Sequence, residues 1–275
     1  MRLLTESNEY ETTLQMALDL SGSYDTPVVF HCYWNGVLNE KHLYSILSCY
    51  YFHVHRNKHS IILWLENNTS NEYNEAIKPY ATIRDFSLVE ETPAFFEKSA
   101  PSPSAITFYS DFVRTVLLYK YGGIWFDLDC LFLRSFEPLL HQFGTEICLY
   151  RWQQQNYPNN AIYISLKPED ERMKENCELI LDHSRGWGFQ DAKITYDMPL
   201  DILVLPCNWF DPSWTEHPYQ FEFDHLFEAT EIGYTLDTFF TGSFCYHWHN
   251  KWNVPVHETS PIRQLIREMQ ANLLD

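Results

Sequence analysis

Six short apolar runs, rich in β-branched and aromatic residues, do most to limit what this chain can fold into: Val28 to Tyr33, Ser60 to Leu65, Ile124 to Leu128, Ile147 to Tyr150, Ala161 to Ile164 and Ile202 to Leu205. Runs of that length between polar and turn residues read as buried strands. Longer stretches with helical spacing, Glu40 to His53, Ser104 to Tyr121 and Glu169 to Ser184, separate several of them. Strands alternating with helices predict an α/β layered domain with a mixed, mainly parallel central sheet. In such sheets ligands lie beyond the carboxyl ends of the strands, where strand order switches. No internal repeat, low-complexity tract or long Gly/Ser linker breaks the chain, so residues 1–275 are expected to form one domain.

The stretch from Ser102 to Pro138 carries the most chemistry. Ser102 can cap a helix with Pro103 in its first turn, and Gly122-Gly123 stops that helix. Asp111 and Arg114 are three apart and share a helical face, which by itself describes an exposed ion pair of about 0.3–0.5 kcal/mol. After the glycines, Ile124-Trp125-Phe126-Asp127-Leu128-Asp129 alternates with period two, so Trp125, Asp127 and Asp129 are expected on one side. Two neighbouring carboxylates at a strand end are costly unless a hard cation takes oxygen ligands from both. On that ground Asp129→Asn is expected to leave the fold intact and to stabilise the metal-free protein slightly.

The string Ser110-Asp111-Phe112-Val113-Arg114, followed by Tyr121-Gly122-Gly123-Ile124-Trp125-Phe126-Asp127-Leu128-Asp129, resembles the sugar-binding region of the DXD-motif glycosyltransferases, and it keeps the spacing between helix and D-x-D. That superfamily includes the large glucosylating bacterial toxins. The resemblance implies a GT-A-like, Rossmann-like nucleotide-diphospho-sugar transferase fold. It implies a donor that is a UDP-hexose first and a GDP-sugar second, a glycan or other hydroxyl acceptor, and Mn²⁺ or Mg²⁺ on the diphosphate. By the same resemblance Asp127 and Asp129 hold the metal, and Asp111 and Arg114 bind sugar hydroxyls and the diphosphate side. Val28 to Gly36 resembles the family's first strand and W-x-G turn, with Trp34 stacking on the base. Asn160-Ala161-Ile162 resembles an N-A-I element whose Asn lies near sugar and acceptor, and His247-Trp248-His249-Asn250-Lys251 resembles a closing motif in which His247 reaches the metal or diphosphate with Lys251 or Trp252 nearby. The family's T-G-P element is replaced by Trp187-Gly188-Phe189-Gln190-Asp191. Relatives of this arrangement retain anomeric configuration, and retention with the departing phosphate accepting the acceptor's proton is the expected course.

Composition narrows the partners. With 19 basic against 37 acidic residues the net charge is -18, which repels polynucleotides and anionic lipid surfaces. A nucleotide diphosphate is repelled as well, so handling one needs a local cation. The amino terminus is polar and acidic, without the apolar core of a signal peptide, and no run of about 18 apolar residues follows. A soluble, cytoplasmic chain without a transmembrane segment is the expectation. Seven cysteines without C-x-x-C pairs read as buried free thiols. His53, His55 and His59 have a spacing that can bind a transition metal, but Arg56 and Lys58 between them favour a solvated surface loop. Two other classes remain open: Phe126 to Asp129 also resembles the start of a haloacid-dehalogenase-type phosphatase, although Leu131 stands where that family wants Thr or Val, and 18 Tyr, 19 Phe and 9 Trp would suit a non-catalytic glycan-binding module.

Overall fold

Period-two alternation along the strands decides which side chains enter which layer. In the computed structural model, which describes residues 1–55, 57–94, 106–152, 155–183, 194–215 and 221–274, each of the six apolar runs forms a strand. The elements follow in the order β1 (Arg2–Leu3), α1 (Tyr10–Asp19), β2 (Val29–Asn35), α2 (Glu40–Cys49), β3 (Ser60–Glu66), α3 (Glu72–Ile77), β4 (Thr82–Asp85), α4 (Leu88–Glu91), α5 (Ile106–Tyr121), β5 (Gly123–Phe126), β6 (Cys130–Phe132), α6 (Glu137–Phe143), β7 (Cys148–Arg151), β8 (Pro158–Ser165), α7 (Glu171–His183), β9 (Leu203–Leu205), β10 (Cys245–His247) and α8 (Pro261–Asn272). The strands β1, β4, β6 and β10, of two to four residues each, lie outside the six apolar runs read from the sequence. The expected cap at Ser102 and Pro103, and the segment Trp187 to Asp191, lie outside the described residues.

Eight strands form one sheet in the order β1-β9-β7-β8-β5-β2-β3-β4. β8 runs antiparallel to both neighbours and every other pairing is parallel, so the sheet is mixed and mainly parallel as expected. Order switches at β2 and β5: the chain steps outward from β2 through β3 to β4, then returns to β5 on the other side of β2. One face buries Phe30, Cys32, Ile124, Phe126, Ile162 and Ile164. The opposite face buries Trp64, Trp125 and Tyr163 against Tyr109, Val113 and Leu117, which recur every four residues along α5. A separate ribbon pairs β6 with β10 antiparallel, setting Cys130 opposite His247, and it packs with α8.

Two glycines make the turn from α5 into β5. Gly122 and Gly123 have φ +64 and +117, and a Cβ would lie 2.4 Å from the Leu166 carbonyl oxygen at the first and 2.3 Å from that of Val29 at the second. No side chain fits either position, so the start of β5 is placed closely against the start of β2.

The histidine cluster is not a solvated loop. α2 continues into a π-helical turn, Tyr50–Val54, which rotates His53 into the core. There its ring stacks on Phe30 with centroids 4.5 Å apart. His59 is also buried, and its Nδ1 accepts from the Val28 amide at 3.1 Å; only His55 is exposed. Among the described residues this trio forms no metal-binding group. All seven cysteines are buried and free, as expected. Among the described residues no helix is long and apolar enough to cross a membrane.

Neutral histidines packed in this way make the fold acid-sensitive. Burial pushes His31 down from 6.5 to about 4, against a Gly122 carbonyl that opposes the shift, and burial likewise lowers His42 to about 3. His31 Nδ1 accepts from Trp64 Nε1 at 3.1 Å while Nε2 donates to the Gly122 oxygen at 3.1 Å, so a proton on Nδ1 breaks the first bond. The folded value lies below the unfolded one; stability is therefore full above about pH 6.5 and lost as pH falls toward 4, by on the order of 3 kcal/mol for His31. Urea midpoints should drop between pH 7.5 and 5, and His31→Gln should shrink that drop; equal midpoints at the two pH values would contradict the account.

Candidate active site

β5 ends at Phe126, and Asp127 to Asp129 lie in the turn that leads to β6. The turn is closed by the Cys130 amide donating to the Asp127 carbonyl at 3.0 Å. Asp127 keeps the strand's alternation, because its Oδ1 accepts from Trp125 Nε1 at 2.7 Å on the same side. Leaving the strand at this point turns Asp129 inward, where it is buried, while Asp127 stays a quarter exposed.

Each carboxylate has its own cationic neighbour. Arg114 Nη2 lies 3.2 Å from Asp127 Oδ1 and 3.4 Å from Asp111 Oδ1. The same guanidinium donates through Nη1 to the carbonyl and side-chain oxygens of Asn160 at 2.6 and 2.7 Å, and Asn160 Nδ2 donates to Asp111 Oδ1 at 2.8 Å. The Asp111–Arg114 pair is thus buried and not the exposed helical pair its spacing alone describes. Asp129 Oδ2 accepts from the Asn250 amide at 2.7 Å, and its Oδ1 lies 3.2 Å from His247 Nε2. The β6–β10 ribbon produces this contact: with Cys130 opposite His247, and the Trp248 amide donating to the Asp129 carbonyl at 2.9 Å, the imidazole arrives beside the carboxylate.

Charge is crowded here. Burial raises Asp127 to about 6, with Arg114 opposing and Asp129 reinforcing the shift. Asp129 goes the other way: burial would raise it, but the charge and hydrogen bond of His247 and the Asn250 amide override burial and hold it below the usual carboxylate range. Burial also raises Asp111, opposed by Arg114 and Asn160. A fourth carboxylate, Asp211, is fully buried behind them, 2.7 Å from His249 Nε2 and 3.7 Å from His247 Nδ1. Four carboxylates therefore surround one guanidinium and two imidazoles, an arrangement suited to a further cation.

The site thus brings together Asp111, Arg114, Asp127, Asp129, Asn160 and His247. Trp34 sits at the rim, at the carboxyl end of β2, half-buried against His42 and Trp252 with centroids 4.2 and 4.9 Å away. Lys251 is not brought in: its Nζ lies 2.8 Å from Asp224 Oδ1, with both side chains well exposed.

Residues 41–144 match the family model of the glycosyltransferase sugar-binding region containing the DXD motif. The segment takes in Asp111, Arg114, Asp127 and Asp129, so the resemblance read from the residues holds where the motif lies. A curated relative, the glycosyltransferase afumC of Aspergillus fumigatus, is 28% identical over a stretch covering 30% of this chain and 22% of its own length. The match therefore spans about a fifth of that relative. Among solved structures, the glycosyltransferase GlyE of Streptococcus pneumoniae is 13% identical, covers 90% of this chain and 62% of its own, and superposes with a TM-score of 0.52. Its apo form gives 0.51 at 11% identity over the same shares of the two chains. At such identities the likeness concerns the fold, which is GT-A-like.

Outside the DXD region, sequence reading missed Asp211 and Tyr150. Asp211 follows a short 3-10 turn, Cys207–Trp209, and lies in no spacing pattern with the D-x-D. Tyr150 belongs to an apolar strand, yet its hydroxyl lies 2.9 Å from His247 Nδ1. His249 stood inside the closing motif without a role, and here it pairs with Asp211.

Proposed function

We propose that this chain is a metal-dependent glycosyltransferase. It moves a sugar from a nucleotide-sugar donor, UDP-hexose first and GDP-sugar second, to a glycan or other hydroxyl acceptor. The observation that carries the reading is the gathering of Asp111, Asp127 and Asp129 around Arg114 and His247 at the carboxyl end of β5, beside the β2–β5 switch in strand order.

Asp127 and Asp129 are the carboxylates that would hold Mn²⁺ or Mg²⁺, with His247 Nε2 beside Asp129 at 3.2 Å. A divalent ion there supplies Lewis-acid stabilisation to the departing diphosphate. The protein's own groups do the rest. Arg114, held by the oxygens of Asn160 and Ser110, keeps a fixed positive charge behind Asp127. Asp111 and Asn160, hydrogen-bonded to each other, offer acceptor and donor atoms to sugar hydroxyls. Trp34, packed against the stacked rings of His42 and Trp252, is the aromatic residue that would stack on the base. Orientation of this kind accounts for several kcal/mol of a transfer barrier. With Asp111, Asp127 and Asp129 already committed to Arg114 and His247, retention, with the leaving phosphate taking the acceptor's proton, remains the course proposed.

The test is a thermal-shift screen of UDP- and GDP-sugars with and without Mn²⁺, followed by release of nucleoside diphosphate. A ligand at a hundred times its Kd adds about 2.7 kcal/mol of stability. One nucleotide class should raise the melting temperature only when Mn²⁺ is present. If no nucleotide sugar shifts it, the donor assignment fails.

A further inference from the structure

The donor chemistry makes no use of Asp211, His249 or the second nitrogen of His247. Asp211 is 0% exposed, and its Oδ1 has no hydrogen-bond partner. Its Oδ2 lies 2.7 Å from His249 Nε2 and 3.7 Å from His247 Nδ1. The three ligand atoms fall within 4.8 Å of one another. A buried carboxylate with an orphaned oxygen, facing two imidazole nitrogens, is a donor set of different character from the D-x-D. Two imidazoles and one carboxylate suit a borderline transition ion, whereas carboxylates and phosphate oxygens suit Mg²⁺ and Mn²⁺.

We propose that Asp211, His247 Nδ1 and His249 Nε2 form a second metal site, selective for Zn²⁺ and ions like it. The surroundings already supply its supporting contact. A metal on Nδ1 requires the proton on Nε2, and Nε2 faces Asp129 Oδ1 at 3.2 Å, the carboxylate–histidine arrangement that orients metal-bound imidazoles. Tyr150 Oη, 2.9 Å from Nδ1, stands where a fourth oxygen ligand would come from. His249, whose side chain is 14% exposed, is the most exposed of the three residues, and the rings of Trp214 and Phe223 pack against it.

The two uses of His247 exclude each other, which gives the site a regulatory consequence. With Zn²⁺ on Nδ1, Nε2 keeps its proton and donates to Asp129, so it has no lone pair for a cation shared with Asp127 and Asp129. Zn²⁺ therefore acts against Mn²⁺ without displacing nucleotide directly. Binding at this site does not depend on the donor reading and is measured without any sugar nucleotide.

The experiment titrates the metal-free full chain with Zn²⁺ by calorimetry and with Co²⁺ by visible absorption. Expected are one Zn²⁺ per chain, a tetrahedral Co²⁺ spectrum without a thiolate charge-transfer band, and weakening of Zn²⁺ binding by about 100-fold or more in His249→Gln. Asp211→Asn should weaken it likewise if it folds, and Cys130→Ser should leave it unchanged. Zn²⁺ binding that survives His249→Gln at wild-type strength, or a thiolate band that vanishes in Cys130→Ser, overturns the assignment. So does the absence of any Zn²⁺ binding.

Discussion

Arg114→Ala is expected to destabilise the protein by about 3–5 kcal/mol, the cost of leaving buried charges without their partner. The guanidinium is 5% exposed and lies between Asp111 and Asp127, at 3.4 and 3.2 Å. It also satisfies two oxygens of Asn160 and packs over the Trp125 ring at 5.2 Å. Alanine removes all of this at once, and water cannot fill in for the lost charge beside a fully packed helix. Arg114→Lys keeps a positive charge but not the planar fork that reaches Asn160 and both carboxylates, so it should recover only part of the loss. The double variant Arg114→Ala with Asp127→Asn should be less destabilised than the two single variants added together, because the second change removes one of the charges that the first exposes. Urea unfolding at pH 7.5 with an unchanged m-value is the measurement. A loss below about 1 kcal/mol would mean that Arg114 is a peripheral charge and that the site has been misread.

The layered α/β architecture was legible because strand and helix periods alternate cleanly along the chain. Trp125 and Tyr163 fall on one face while Ile124, Phe126 and Ile162 fall on the other, as period two requires. The DXD region was legible because a helix, a glycine pair and a strand hold its residues at fixed spacing. What could not be read came from tertiary contacts between distant segments. Asp211 reaches the site through a 3-10 turn too short to carry a period, and His247, on a three-residue ribbon strand, was legible only through the resemblance of its closing motif. The His53 and His59 reading failed for a related reason. Arg56 and Lys58 give the stretch a solvated look, but the π-helical turn rotates His53 by a step that α-helical spacing does not foresee, and His59 is held at the start of β3 by the Val28 amide. The closing-motif resemblance places Lys251 near the metal or diphosphate, and the chain turns its ammonium to Asp224 instead.

Asp129→Asn is expected to lower metal-dependent turnover by roughly 10²–10³-fold, the scale on which loss of one electrostatic stabiliser is felt, while the protein stays folded. The amide keeps the shape of the carboxylate, and one of its atoms can still accept from the Asn250 amide. The other faces His247 Nε2 as a donor, which drives the imidazole proton to Nδ1 and toward Tyr150. Reasoning from two adjacent anions alone, the substitution should stabilise the metal-free protein; the structure reverses that sign. Asp129 is held below the usual carboxylate range because, although burial opposes it, His247 and the Asn250 amide favour its charged form. A folded-state value below the unfolded one is stability present above the ordinary carboxylate range and lost as pH falls through the folded value, so at neutral pH the carboxylate contributes and the amide does not. The metal-free variant should therefore melt lower than the metal-free wild type, and Mn²⁺ should raise the wild type but not the variant. Release of nucleoside diphosphate, followed against Mn²⁺ concentration, separates the readings: full activity in Asp129→Asn places the cation elsewhere, and residual activity unmoved by chelator shows transfer that never needed one.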